Sequence, residues 1–228
     1  MDHPGFGAFG KMPSVGDFFR LNVRASFVQV WDDWIQRGML DAQRATGVAW
    51  DGLYMSAPIW RFCLSPGLAG SQKMLGVLMP SVDRVGRRFP LTLVTPAWAE
   101  GSVILDHFRE TELFERLEDL ALSALDDDMT KDRLAELLND LAPPQHRCDA
   151  PVRKAATTLV LTQHEGAGDL LPELAAGLVT GEYRAPSIWS TEIAGVPRLM
   201  VCEGLPTAAN MQGLFNLTAA IWTEARPI

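Results

Sequence analysis

Apolar residues return along this chain with two periods, and each period predicts its own elements. From Phe27, the residues Phe27, Val30, Trp31, Trp34 and Ile35 recur every three or four positions, one stripe of a helix. Ser26 stands ahead of the stripe as a cap, Gln29 three residues on makes it a capping box, and Gly47 supplies a stop. Asp32, Asp33 and Arg37 fall off the stripe toward solvent, while Trp31 and Trp34 anchor the core. Thr111 to Leu125 repeats the pattern with Leu113, Phe114, Leu117, Leu120, Ala121, Ala124 and Leu125, and its acids lie off the stripe. Lys131 to Leu141 is a second such helix, ended by Pro143-Pro144 because proline cannot continue the hydrogen-bond ladder. A short helix over Asp169 to Thr180 comes next. Another, capped by Thr207, carries Met211, Leu214, Phe215, Thr218, Ile221 and Trp222.

The second period is two. Ile59 to Leu64 sets Trp60, Phe62 and Leu64 against Ile59, Arg61 and Cys63, the alternation of a strand, with Pro58 at its start. Met74 to Met79, Leu91 to Val94, Thr157 to Leu161, Ser187 to Ser190 and Arg198 to Glu203 read as further strands. Phe6 to Phe9 is a short alternating strand that turns at Gly10. Strands and helices interleave, which predicts an α/β fold, a three-layer α/β/α sandwich with a central mixed sheet. The 228 residues, 47% hydrophobic, suffice for one large core, and residues 1–228 are read as a single α/β domain. A proline-rich connection near 143–151 is too short to separate domains.

Charge narrows the partners. The net charge is −8, a poor match for general nucleic-acid binding, which rests on neutralising phosphates. Three dispersed cysteines (Cys63, Cys148, Cys202) fit a reducing compartment better than a disulfide framework. The first residues lack a basic segment followed by an apolar one, and no run approaches the ~18 to 20 apolar residues of a membrane span. A cytoplasmic protein with no membrane insertion is expected.

Catalytic patterns give little. Gly5, Gly7 and Gly10 match G-x-G-x-x-G, but a dinucleotide turn needs a strand before it and a helix after it. Pro13 interrupts the segment where that helix would begin, and Met12 stands where a phosphate-binding loop needs Ser or Thr beside its lysine, Lys11. Asp126-Asp-Asp128 reads as a solvated turn, since hard-cation sites need further oxygen ligands. The four histidines are scattered, and no paired carboxylates mark acid–base chemistry. No enzyme activity, cofactor or metal is expected.

One polar stretch stands out. Between the apolar runs ending at Met79 and starting at Leu91 sit Asp83, Arg84, Arg87 and Arg88 around Gly86. A charged loop on an apolar scaffold is where binding work concentrates, although a solvated turn shaped by Pro80 and Gly86 accounts for the same residues. Asp17 and Arg20 flank Phe18 and Phe19 in a second mixed patch. Arg61, mid-strand beside Trp60, has to reach an acid, and Asp83 or Asp17 is the expected partner.

Four segments, in order, resemble the TagF/ImpM family of bacterial type VI secretion accessory proteins. They are Gly10-Lys-Met-Pro-Ser-Val-Gly-Asp-Phe18, Trp31-Asp-Asp-Trp34, Ala57-Pro-Ile-Trp-Arg-Phe62 and Gly76 through Thr92. The likeness is strongest over residues 5–95, and Ser187-Ile-Trp-Ser190 resembles the family's S-x-W segment, with Ser190 where a second tryptophan is common. The resemblance implies an α/β/α sandwich and a cytoplasmic, non-catalytic, post-translational repressor of type VI secretion. It also implies a link to a forkhead-associated-domain scaffold, in a pathway with a threonine kinase and its phosphatase. On this reading Asp17, Arg20, Trp60, Arg61, Asp83, Arg84, Arg87 and Arg88 form either a partner-binding surface or an ion-pair network bracing the fold. The alternatives are an enzyme that binds a small phosphate ligand through the arginine loop, and a structural subunit of the secretion apparatus.

Overall fold

A computed structural model describes residues 5–97, 100–144, 152–155, 157–162 and 170–225. The chain runs through β1 (Gly7–Gly10), β2 (Phe19–Leu21), α1 (Ala25–Thr46), a 3-10 turn (Gly47–Ala49), α2 (Trp50–Met55), β3 (Trp60–Leu64), β4 (Met74–Met79) and β5 (Leu91–Pro96). It continues through α3 (Val103–Arg109), α4 (Thr111–Ser123), α5 (Lys131–Asn139), β6 (Arg153–Ala155), β7 (Thr158–Val160) and α6 (Leu170–Glu182). It then forms β8 (Pro186–Ile193), β9 (Val196–Glu203), α7 (Ala208–Phe215) and α8 (Ala220–Thr223).

The sheet has seven strands in the order β2-β1-β5-β4-β3-β8-β9. Every pairing in it is antiparallel, where interleaved elements predicted a mixed sheet. The reason lies in the connections: β3–β4, β4–β5 and β8–β9 are neighbours both in sequence and in space, joined without a crossover helix. Ala194 (φ 50°) and Gly195 (φ 76°) close the last of these as a tight turn whose twist suits the flanking strands.

Two cores cover the two faces, as a three-layer sandwich requires. On one face α1, α2 and α7 bury an aromatic core that includes Trp31, Trp34, Trp50, Trp60 and Trp189. On the other, α3, α4, α5 and α6 bury an aliphatic one that includes Leu75, Leu93, Leu117 and Leu134. Each buried large side chain contributes about 1.5–3 kcal/mol. Three of these indole N–H groups find acceptors far away in sequence: Trp31 donates to Thr92 Oγ1 (2.9 Å), Trp34 to the Pro206 carbonyl (2.7 Å) and Trp60 to the Leu214 carbonyl (2.7 Å).

Local rules explain the agreements and the departures. Gly47 ends α1 as expected, with φ 56° and its N–H bonded to the Gln43 carbonyl. Ser26 does not cap α1: the helix already includes Ala25, and Arg24 at the cap position makes no side-chain cap bond. The helix expected to continue through Trp222 breaks at Asn216, whose Oδ1 accepts from the Thr218 N–H (2.9 Å) and hydroxyl (2.8 Å). Thr207, its expected cap, makes no side-chain cap bond either. The strand expected at Thr157 to Leu161 pairs only with β6, as a ribbon apart from the main sheet. Helix α3 escaped the pattern; Ser102 Oγ caps it by accepting from the Ile104 N–H (3.2 Å). Cys148 and much of the connection near 143–151 lie outside the described residues.

Candidate functional site

Pro80 leads β4 into the 80–90 loop, and Asp83 organises the turn beyond it. The Gly86 N–H donates to the Asp83 carbonyl (2.8 Å) and the Asp83 N–H to the Arg87 carbonyl (3.1 Å), a tight turn that places Gly86 at φ 82°. Asp83 Oδ1 accepts from the N–H groups of Val85 (3.1 Å) and Arg87 (2.9 Å). Its Oδ2 accepts from Arg87 Nε (2.6 Å) and lies 3.0 Å from Lys11 Nζ. The carboxylate is fully enclosed. Burial opposes its charge, but Lys11, the backbone and side chain of Arg87 and the Val85 N–H outweigh that. Together they hold the carboxyl well below the usual carboxylate range.

The same residues tie two loops together. The Arg84 N–H donates to the Val15 carbonyl (3.0 Å) and Arg87 Nη2 to the Gly16 carbonyl (2.7 Å). Arg87 Nη2 also stands 3.8 Å from Asp17 Oδ1. Lys11 Nζ sits 4.7 Å above the Phe18 ring, which packs edge-on against Phe89. Beneath, the Tyr54 hydroxyl donates to the Ser81 carbonyl (2.8 Å) and accepts from its N–H (3.0 Å). Burial pushes that phenol far above its ordinary value, against the Ser81 bond and the Arg88 charge. Arg88 reaches away to Asp51 on α2 (3.0 Å).

A fixed base thus carries an exposed tip. Val85 is 71% exposed and Phe18 45% exposed, and among the described residues the Arg84 guanidinium makes no ion pair. A planar donor fork beside two apolar groups suits a carboxylate-bearing protein surface.

Asp17, Asp83, Arg84 and Arg87 therefore meet where the two loops face each other, while Arg88 turns to Asp51. Arg61 does not join them. It points to the aliphatic face and forms a two-point bond with Glu118 on α4, Nε to Oε1 at 2.8 Å and Nη2 to Oε2 at 2.7 Å. This corrects the expected pairing with Asp83 or Asp17: strand alternation turns Arg61 away from Trp60, and α4 supplies the nearest acid. Trp60 is buried under α7 and stacks on Trp222 (5.9 Å), a core residue. Arg20 lies on β2, opposite Phe9, and lines a separate cavity. Lys11 joins the set although the loop charges do not point to it. Its signal is the Gly10-Lys-Met-Pro segment, whose lysine fails the phosphate-loop pattern and serves Asp83 instead.

The phosphate-ligand alternative needs Arg61, Arg84 and Arg88 to converge. Arg61 and Arg88 instead lie on opposite faces of the sheet, with Glu118 of α4 and Asp51 of α2. Behind Arg61, His107 Nε2 lies 2.7 Å from Ser190 Oγ, and burial together with the Arg61 charge pushes the imidazole down to about 3. Among the described residues no group of three His, Cys, Asp or Glu side chains is placed to hold a metal ion. No helix among them is long and apolar enough to cross a membrane.

Architecture and loop pair define a class: a three-layer α/β sandwich with an antiparallel sheet, topped by a braced arginine loop. Residues 7–141 match the family model described as TagF N-terminal domain, type VI secretion system-associated. The chain belongs to this TagF family of type VI secretion-associated proteins. It is also similar, at 30% sequence identity, to the crystal structure of PA0076 from Pseudomonas aeruginosa PAO1 at 2.05 Å resolution. That match has a TM-score of 0.77 and covers 98% of this chain and 97% of the other. No curated protein matches the chain.

Proposed function

We propose that this protein is a non-catalytic, cytoplasmic repressor of type VI secretion that acts after synthesis of the machinery, by occupying the surface of a protein partner. The partner-facing residues are Phe18, Arg84 and Val85, and residues 1–228 act as one unit. The observation behind this reading is the contrast within the loop pair: Asp83 is enclosed and saturated with donors, while Val85 two residues on is 71% exposed. A rigid base under an exposed apolar and cationic tip lowers the entropy lost on association. A forkhead-associated-domain scaffold of the apparatus is the partner to test first.

Co-purification of that scaffold with wild type and with Arg84→Glu/Val85→Asp gives the direct measurement. Binding should fall at least about tenfold with the melting temperature unchanged, as removing central interface residues does. Full binding by the double variant counts against the tip. Unaltered secretion in cells lacking the gene counts against repression.

A further inference from the structure

A cavity of about 400 Å³ opens on the aromatic face, between β2, the start of α1 and the turn after β3. It shares no lining residue with the loop pair, so a ligand there is independent of the repressor reading. Its floor is apolar and buried: Phe27, Met74 and Val94. Arg20 and Arg24 line it, and among the described residues neither makes an ion pair. Among the described residues Arg61, Arg87, Arg88 and Arg109 each meet a carboxylate, whereas Arg20 and Arg24, like Arg84 at the loop tip, do not. Two guanidinium groups on the lining of one cavity offer several N–H donors to an anion bound there.

We propose that this cavity binds a small organic oxyanion, a carboxylate or phosphate monoester carried on an apolar body. Guanidinium forks take the planar or tetrahedral oxygen set with two parallel bonds, which an ammonium does not. The floor takes the apolar body. The volume lies within the roughly 300–1,000 Å³ of small-molecule sites and exceeds what a bare phosphate fills.

Titration calorimetry on the full chain tests it with phenyl phosphate, benzoate, inorganic phosphate and benzyl alcohol. Phenyl phosphate and benzoate should bind saturably, inorganic phosphate more weakly, and benzyl alcohol not measurably. Arg20→Ser/Arg24→Ser, two exposed positions, should lower the affinity for phenyl phosphate about tenfold or more. Ser71→Trp, exposed on the lining, should block binding without changing the melting temperature. Arg84→Ser should leave binding intact. No saturable binding of either aromatic anion overturns the proposal, as does binding that survives both cavity variants. Inorganic phosphate binding as tightly as phenyl phosphate overturns the role of the apolar floor.

Discussion

Lys11 Nζ lies 3.0 Å from Asp83 Oδ2, and neither side chain is more than 5% exposed. The pair joins the end of β1 to the loop after β4, and Arg87 closes the set from outside. Lys11→Met leaves a buried carboxylate short of a cation, which lowers the melting temperature by on the order of 10 °C in a chain of this size. The Asp83 carboxyl is depressed below its unfolded value of 3.8. Its contribution is therefore complete above that value and is lost as pH falls further, through the folded value. A melting temperature unchanged in Lys11→Met shows the pair to be idle.

His107 gives a second pH signature in a different window. Its folded value is about 3 against 6.5 when exposed, so between these the unfolded chain binds a proton that the native protein does not. Stability is then lost as pH falls from 6.5 toward 3, by on the order of 4 kcal/mol. Denaturant titrations from pH 7 to pH 4 should show a steeper fall for wild type than for His107→Leu. Parallel curves would mean that His107 charges freely in the native state.

Two glycines with positive φ should respond differently to alanine. At Gly86 nothing lies within 4 Å of an added Cβ, so Gly86→Ala pays the left-handed backbone strain alone, ~1 kcal/mol. At Gly10 a Cβ would meet the Pro90 carbonyl oxygen at 2.1 Å, inside the β1–β5 approach. Gly10→Ala should lose about 3 kcal/mol. Equal losses in urea unfolding refute the steric account.

Glu118→Gln isolates the Arg61 bond, whose partners are each 24% exposed. Replacing a charged acceptor by a neutral one should remove about 1–2 kcal/mol, read as a lower urea midpoint at constant slope. Partner binding through the loop tip should be untouched, because the pair sits on α4 and β3.

The elements that the pattern revealed are those whose residues carry large apolar groups at strict spacing. Trp31 and Trp34 on α1, and Trp60 and Phe62 on β3, announced their faces in this way. The charged loop at Asp83 was equally visible, since four charges in six residues between two apolar runs mark a connection and not a strand. Its pairing was not. Arg61 finds Glu118 across 57 residues, and local spacing says nothing about which acid a fold brings near. Ser26 misled because a capping residue is defined by where the helix starts, and α1 starts at Ala25 with Arg24 in the cap position, two residues earlier. Strand direction was hidden for a related reason: β3 sits between β4 and β8, and only the first of these comes soon after it in sequence.

That last arrangement bears on how the chain is made. Arg61 pairs with Ser190, so β3 keeps a bare hydrogen-bonding edge until β8 has left the ribosome. A nascent chain halted near residue 141 holds β1 to β5 and α1 to α5 but lacks the strand that seals β3. It would expose that edge to any neighbouring polypeptide. Final closure of the sheet is therefore a late event of synthesis, completed by the β8–β9 hairpin.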